Sequence, residues 1–582
     1  MLQQVSWKIG GQQGEGIESA GDLLAQGLSR QGYHLYGYRV FSSRIRGGHT
    51  DYNLRLGTTK VASIADKIDV LIALDQETIA ICARELSGDG WVIADEQFTP
   101  VLPAGTKARM LGVPLTALAQ QSGNVKMKNI IAVGLTVFML GLNPTDWEEP
   151  LREMFGDKGE PMLQGNLAAL HIGWDYGEKF AADLREAYKM GAGDKIQRLY
   201  VIGNEAISQG AIAAGARFMA AYPITPASEI MEAMVKRLPE LGGAMVQTED
   251  EIAACMMAIG ANYAGIRAFT ATSGPGLSLM AESIGLAGMT ETPLVVIDVQ
   301  RGGPSTGLPT KHEQSDIMAA IYSTHGEAPK IVMALDATAS AFGDTVEAFN
   351  LAEEYQCPVI LLSDMQLSLA NQTTDISSAE AVFTMRRGEL KSVAELPPLS
   401  KNEYFKRYQV TPSGVSPRVI PGTKNGIHHV TGLEHDESGR PFEGVANRIA
   451  QTDKRLRKLS SVAARFPESL RIDAPTEKTR LLIIGIGASG GPIAEAVSRL
   501  RLEGITVNHV QVRLLHPFPS EILQPLLDAA EAVVVAEHNA TGQLAALIRA
   551  NSRPTGAIHS ILKYDGNPFR PEEIVVGCRE VL

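Results

Sequence analysis

The chain has 582 residues, is 45% apolar and 20% charged, and carries a formal net charge of −12. That length supplies about three to four domains with ample core material. The acidic balance argues against a nucleic-acid or anionic-membrane partner.

The first residues, Met1-Leu-Gln-Gln-Val-Ser-Trp-Lys8, lack a secretory apolar segment. A first α/β domain is expected over 1–190. A strand, Val5–Ile9, runs into Gly10-Gly-Gln-Gln-Gly14-Glu-Gly16 and then into a helix with Ala20, Leu23, Leu24 and Leu28 on its apolar face. A glycine turn there offers backbone N–H groups at a helix start, which suits a phosphate. The spacing is not Gly-x-Gly-x-x-Gly, and the second strand, near Tyr36–Val40, ends without an acid, so no dinucleotide site is expected. Next, Arg44 and Arg46 stand beside Gly47 and Gly48. Guanidinium matches phosphate bidentately; the alternative is a surface turn with a solvated charge pair. Asp69–Leu74 continues the α/β alternation, and Gly88-Asp89-Gly90 reads as a turn. The longest apolar run, Ile130 to Leu142, falls short of the roughly 20 residues that cross a bilayer and reads as a buried helix.

A linker at Lys189–Lys195 leads to a second domain, 198–370. Asn204 is placed to cap a helix over Glu205–Ala220. In Tyr222-Pro223-Ile224-Thr225-Pro226 the two prolines restrict the backbone on both sides. The Thr225 hydroxyl is thereby held rigid ahead of a helix, Ser228–Leu238, where it can bond a carboxylate or carbonyl or act as a turn or cap residue. Glu251 opens a helix with Ala254, Ala258, Gly260 and Ala264 along it. Small residues three and four apart share a face, so another backbone can approach there, and an acid at that end sits in a favourable dipole. Thr272-Ser273-Gly274-Pro275-Gly276 closes the stretch. The strand Leu294–Gln300 puts Arg301 at its carboxyl end, where ligands of open α/β sheets collect. Lys311 and His312 follow closely. The plain alternative for Arg301 is a sheet-edge salt bridge.

Residues 371–475 read as a long irregular connector with repeated Pro and Gly, carrying Arg418, His428, His429 and His435 as loop residues. Such a length is functional or disordered; a segment wrapping the active-site face or a partner is expected. The last domain, 476–582, alternates strands at Leu481–Ile484, Ile505–Val512 and Ala532–Ala536 with helices. Gly485-x-Gly487-x-x-Gly490 matches a dinucleotide fingerprint, but the next strand ends in Gln511-Val512-Arg513 with no acid. Gly487-Ala-Ser489-Gly-Gly491 matches a nucleophile elbow with Asp528 and His538 in hydrolase order, yet one strand precedes it and about ninety residues follow. The four cysteines, Cys82, Cys255, Cys357 and Cys578, lie outside metal-ligand spacing, so no metal or cluster site is expected in this chain. Few scattered cysteines suit a cytoplasmic location.

The helix that opens at Glu251 resembles the glutamate helix in the pyrimidine-binding domain of thiamine diphosphate enzymes, and Thr272–Gly276 resembles the loop after the next strand in those domains. Tyr222-Pro-Ile-Thr-Pro226, Glu249-Asp-Glu-Ile-Ala-Ala254, Thr272-Ser-Gly-Pro-Gly-Leu-Ser-Leu279 and Gln300-Arg-Gly-Gly-Pro-Ser-Thr-Gly-Leu-Pro309 together resemble the alpha subunit of 2-oxoacid:ferredoxin oxidoreductases. The N-terminal domain resembles the gamma subunit of that family, fused in front, as in the large subunit of two-subunit 2-oxoglutarate enzymes. The last domain resembles the transketolase C-terminal domain.

The resemblance implies a multidomain α/β fold and an enzyme that converts a 2-oxoacid and coenzyme A to an acyl-CoA and CO₂, with two electrons passed to ferredoxin. For 2-oxoglutarate the product is succinyl-CoA; pyruvate and branched 2-oxoacids stay open, as does a non-catalytic docking subunit. It implies that Glu251 polarises thiamine diphosphate, that Thr225 contacts the substrate, and that Ile224, Ser273 and Gly274 line the cofactor. Arg301 is implied to bind the substrate carboxylate; Lys311 and His312, a few residues on, are within reach of the same pocket, Lys311 being the second substrate-binding candidate, and coenzyme A is assigned to the turn of Arg44, Arg46, Gly47 and Gly48. The family's diphosphate–Mg²⁺ motif and its [4Fe–4S] cysteines belong to a beta subunit. Gly88-Asp89-Gly90 is similar only to the start of that motif. A partner beta subunit, an (alpha–beta)₂ heterotetramer and no activity alone are therefore expected.

Overall fold

Apolar runs rich in Val, Ile and Leu form the strands of three sheets among the described residues. The structure, a computed structural model, describes residues 1–41, 48–375 and 383–582. They divide into one unit of Met1–Ile202, Leu369–Glu380 and Phe569–Glu573, and a second of Gly203–Ser368, Ala381–Pro568 and Ile574–Leu582. The multidomain α/β architecture matches the expectation.

In the first unit an eight-stranded mixed sheet runs, in spatial order, Arg109–Val113, Leu86–Asp95, Ile68–Ala73, Gln4–Gln12, His49–Gly57, His34–Val40, Asn371–Asp375 and Arg198–Ile202. The helix Ile17–Arg30 buries Ala20, Leu23, Leu24 and Leu28. The apolar run near 130–142 is the helix Lys128–Met139, buried on almost every side. It clasps the helix Glu160–Phe180 at two glycines: a Cβ on Gly134 would lie 2.0 Å from the Leu170 carbonyl oxygen, and one on Gly173 2.0 Å from that of Ile131. Gly88-Asp89-Gly90 is not a turn between elements. It lies inside the strand Leu86–Asp95, where the register against Ile68–Ala73 shifts. No helix among the described residues is long and apolar enough to cross a membrane.

In the second unit a seven-stranded sheet runs Leu514–His516, Ile331–Ala334, Pro358–Asp364, Leu294–Gln300, Ala268–Thr272, Phe218–Ala221 and Ala244–Gln247. All its pairings are parallel except that of the edge strand Leu514–His516. Parallel strands buried on both faces read as continuous apolar runs, and Leu294–Gln300 is buried at every position. A five-stranded sheet follows: Leu470–Asp473, Val507–Val512, Thr479–Ile486, Ala530–Glu537 and Ile558–Leu562. One apolar layer containing Val296, Leu362, Ile484 and Val510 serves both sheets.

Two local expectations need correction. The helix after Ile202 spans only Gly203–Ala213, because Gly215 turns left-handed at φ 81 and the chain re-enters as the strand Phe218–Ala221. Asn204 does not cap it; its Nδ2 donates to the Pro226 carbonyl at 2.8 Å and to Glu229 at 3.1 Å. Within the connector, Val445–Arg457 is a regular helix. It is inverted: Lys454 is fully buried while Val445 is 78% exposed. Lys454 and Lys458 both donate to the buried Glu291 carboxylate, at 2.6 and 2.8 Å, and Arg407 donates to its backbone carbonyl at 2.6 Å.

Candidate functional site

Asp250 caps the helix Glu251–Tyr263, its carboxylate accepting the Ala253 N–H at 2.7 Å. That makes Glu251 the first helical residue, buried to 6% exposure. No described residue donates a hydrogen bond to its carboxylate. Instead the side chain lies over Gly276: a Cβ there would stand 2.7 Å from Glu251 Cγ and Oε1 and 2.0 Å from Thr272 Oγ1. Two residues earlier, a Cβ on Gly274 would stand 2.6 Å from Asp316 Oδ2. Between strand and helix, Ser273 is fully buried and its Oγ has no partner among the described residues. The Thr272–Gly276 loop is thus overlaid by two carboxylates, and its glycines are what allow them so close.

Arg301, at the end of Leu294–Gln300, reaches past the intervening strand Ala268–Thr272 to the Thr225 loop. Its guanidinium donates to the Thr225 carbonyl at 2.5 Å and to that of Thr306 at 3.4 Å, while Nε has no partner among the described residues. Thr225, half-buried, precedes Pro226 through a cis peptide bond. Ile224 packs against the adjoining core. Burial lowers the Arg301 guanidinium from its usual range, and Asp316 opposes that shift. Arg301 is therefore a backbone tether as well as a cation. Lys311 sits on the same loop; its carbonyl accepts the Gly302 N–H at 2.9 Å, and its stem packs on Gly566. His312 turns inward, its ring 4.2 Å from that of His538 and its Nδ1 3.6 Å from Asp364. Burial lowers both imidazoles below the ordinary histidine range.

Two acids of the site, Asp298 and Asp316, were not candidates from sequence. Burial, reinforced by Asp316, pushes Asp298 well above the carboxylate range. Burial, then Glu313, pushes Asp316 up to about 6 against the pull of Arg301. The signal was present: an aspartate in the middle of an otherwise apolar strand, Leu294–Gln300.

The remaining motifs resolve into packing. Gly487 would drive a Cβ to within 2.4 Å of Asp364 Oδ2 and 2.5 Å of Gln314 Nε2. Ser489 is fully buried, donating to the Ile486 carbonyl at 2.8 Å and accepting its N–H at 3.0 Å. Neither a phosphate cradle nor an exposed nucleophile is formed there. In the first unit, the turn after Gln12 is filled by the chain's own carboxylate: Glu15 accepts the Gln12 N–H at 2.9 Å and pairs with Lys128 at 2.7 Å. The Gly48 carbonyl accepts the Gln13 N–H beside it at 3.2 Å. Arg44, Arg46 and Gly47 lie outside the described residues. His49, Asp51 and Cys82, scattered in sequence, bring ligand atoms within 4.8 Å of one another. Lys8 already supplies a cation there, 3.6 Å from Asp51, and burial raises the Cys82 thiol to about 12.

Residues 6–176 match the family described as pyruvate ferredoxin/flavodoxin oxidoreductase. Residues 209–454 match its thiamine diphosphate-binding part, and 480–574 match core domain II of pyruvate:ferredoxin oxidoreductase. The alpha subunit of 2-oxoacid:ferredoxin oxidoreductase 2 from Aeropyrum pernix is 32% identical over 99% of this chain and 98% of its own length. The chain belongs to the alpha-subunit family of 2-oxoacid:ferredoxin oxidoreductases. The 2-oxoglutarate oxidoreductase subunit KorA of Mycobacterium tuberculosis is also 32% identical, over 98% of this chain and 91% of its own. A solved 2-oxoglutarate:ferredoxin oxidoreductase from Magnetococcus marinus, with 2-oxoglutarate, coenzyme A and succinyl-CoA bound, superposes with a TM-score of 0.90 at 34% identity, covering 100% of both chains.

The thiamine-binding match of this oxidoreductase family spans Thr225, Glu251, Ser273, Gly274, Asp298, Arg301 and Asp316. The residues fit such a cofactor. Among the described residues Glu251 is a buried acid without a protein donor and the buried Ser273 hydroxyl lacks a partner, while Gly274 and Gly276 leave a surface that any Cβ would fill. The match also runs through much of the connector, to residue 454.

Proposed function

We propose that this chain is the alpha subunit of an enzyme that oxidatively decarboxylates 2-oxoglutarate with coenzyme A, giving succinyl-CoA, CO₂ and reduced ferredoxin. The observation that carries the reading is Glu251, buried at a capped helix start over Gly276 with its carboxylate free of donors among the described residues. Thiamine diphosphate, when bound, supplies the electron sink for loss of CO₂. Glu251 bonds its aminopyrimidine and exchanges a proton at the carboxylate oxygen. Ile224, Ser273 and Gly274 line the ring. The Thr225 hydroxyl bonds the substrate, and Arg301, tethered to the same loop, takes its carboxylate. Lys311 adds a second cation, which suits a dicarboxylate. The 2-oxoglutarate in the name of the mycobacterial relative and in the Magnetococcus complex supports that choice; preference for pyruvate or a branched 2-oxoacid would displace it.

In this reading the diphosphate, Mg²⁺ and [4Fe–4S] cluster belong to a beta subunit, and the assembly is (alpha–beta)₂ delivering electrons to ferredoxin. Coenzyme A is assigned to Arg44, Arg46, Gly47 and Gly48. The division proposed is a gamma-type domain at 1–190, a pyrimidine-binding domain at 198–370, a connector at 371–475 and a transketolase C-terminal-like domain at 476–582. Four free, buried cysteines support a cytoplasmic location. The test is 2-oxoacid-dependent viologen reduction by the isolated chain and by the chain with a beta subunit, across a panel of 2-oxoacids. Turnover only in the complex, highest with 2-oxoglutarate, is expected; robust turnover by the chain alone would contradict the reading.

A further inference from the structure

The loop that carries Arg301 leaves the strand Leu294–Gln300 and comes back to it, the Asp316 N–H donating to Gln300 Oε1 at 3.1 Å. Its outgoing limb, 303–308, is exposed, whereas the returning limb buries His312 and Gln314. The limbs meet at Gly302, whose N–H donates to the Lys311 carbonyl at 2.9 Å and whose carbonyl accepts the Leu308 N–H at 2.8 Å. Whatever holds the returning limb thus holds the backbone beside Arg301.

The ends of three neighbouring parallel strands of the five-stranded sheet hold it: Thr479–Ile486, Ala530–Glu537 and Ile558–Leu562. Gln314 has no exposed surface. Its N–H donates to the His538 carbonyl at 2.6 Å, and its carbonyl accepts from Asn539 Nδ2 at 3.1 Å. Its Oε1 accepts the His538 N–H at 3.2 Å, while Nε2 donates to Asp364 Oδ2 at 2.8 Å and to the Ile486 carbonyl at 3.0 Å. Gln543 Nε2 donates to the Ser315 carbonyl at 2.8 Å. The His312 N–H donates to the Gly566 carbonyl at 3.2 Å. A limb tied at 312, 314, 315 and 316 has no freedom to back away from what touches Lys311.

Gly566, at φ 79, is what touches it. A Cβ there would stand 2.9 Å from Lys311 Cβ, 3.1 Å from Cγ and 3.2 Å from Cδ. These are the carbons at the root of the side chain, so a substituent at 566 would turn the whole stem. The Lys311 ammonium makes no ion pair among the described residues. Packing on Gly566, rather than a fixed acidic partner, therefore sets where that charge lies.

We propose that Gly566 is a positioning residue for substrate choice: lacking a side chain, it seats the Lys311 stem so that the ammonium meets the far carboxylate of a dicarboxylic 2-oxoacid. This rests on the reading of Lys311 as the second substrate-binding cation. Gln314 makes the seat rigid. A 2-oxoacid with a short apolar side chain has no group for Lys311, so its binding through Arg301 is indifferent to residue 566.

The experiment is steady-state viologen reduction by the complex with its beta subunit, comparing 2-oxoglutarate with 2-oxobutyrate. Where 2-oxobutyrate turns over too slowly to give a KM, its competitive Ki against 2-oxoglutarate is read instead. Lys311→Met should raise KM for 2-oxoglutarate about tenfold or more, as loss of a charged hydrogen bond does, and leave 2-oxobutyrate unchanged. Gly566→Ala should reproduce that split with kcat preserved. Gly566→Asn adds the same Cβ on a residue that tolerates the left-handed backbone, and should do likewise. Gly504→Ala is the strain control: at φ 84 its Cβ meets no described residue within 4 Å, and both constants should stay at wild type. Equal rises for the two substrates in both Gly566 variants, or no rise, overturn the inference while Lys311→Met upholds the Lys311 reading. Failure of both Gly566 variants to assemble, with Gly504→Ala assembled, makes Gly566 a folding residue and overturns it too. Unchanged preference in Lys311→Met removes the Lys311 reading, and the inference with it.

Discussion

Arg301 reaches across 76 residues of sequence to donate to the backbone carbonyl of Thr225 at 2.5 Å. One side chain at a strand end thereby sets the position of the loop that presents the Thr225 hydroxyl. Lysine has a single ammonium and no planar fork, so it cannot hold the loop and face a carboxylate together. Arg301→Lys is expected to raise KM for the 2-oxoacid about tenfold or more, since a hydrogen bond to a charged group contributes about 1.5–3 kcal/mol. Steady-state viologen reduction by the complex measures this. An unchanged KM with a lowered melting temperature would reduce Arg301 to a loop anchor.

Gly276 tests the packing of the acid itself. A methyl at 276 meets Thr272 Oγ1 at 2.0 Å and Glu251 at 2.7 Å. Overpacking of this kind costs about 1–3 kcal/mol. Gly276→Ala should weaken thiamine diphosphate binding in a cofactor titration of the complex. Gly285→Ala, where a Cβ meets open space, should leave that affinity unchanged.

The buried Glu291 cluster predicts a pH dependence. Burial alone would raise the Glu291 carboxyl, but Lys458, Lys454 and Arg407 outweigh it and hold the group well below the carboxylate range. A depressed folded-state value gives stability that is present above the unfolded value of 4.5 and lost as pH falls below it. Amide hydrogen exchange in Val445–Arg457 should therefore stay slow from neutral pH down to about 4.5 and accelerate below. Glu291→Gln strands two ammonium groups, at a cost of about 3–5 kcal/mol. It should make exchange in that helix fast even at neutral pH.

Sequence reasoning worked where burial and hydrophobicity agree. Leu294–Gln300 was legible to its ends because every position is buried in a parallel sheet. Lys128–Met139 was legible because it is apolar all round. The same reasoning failed on Val445–Arg457, whose buried residues are Gln451, Lys454 and Arg455. Its apolar pattern points at solvent, and a distant acid, Glu291, makes the burial of Lys454 favourable. The helix after Ile202 stops at Ala213, short of Ala220, because the left-handed Gly215 ends it, and the sequence does not distinguish such a glycine from a helical one. At the candidate site, Glu251, Thr225 and Arg301 stood out by residue type and spacing. Asp298 did not, although its place in an apolar strand marks it, because a lone acid in a sequence reveals nothing of the layer that encloses it. The glycines at 485, 487 and 490 mimic a phosphate loop because close packing and phosphate binding demand the same missing side chain.

The most direct test of the account is the rate at which the C2 proton of bound thiamine diphosphate exchanges with deuterium in the assembled complex, wild type against Glu251→Gln. A carboxylate working on the aminopyrimidine predicts a fall of about 10²–10⁴-fold with the complex intact. An exchange rate that Glu251→Gln leaves unaltered would contradict it.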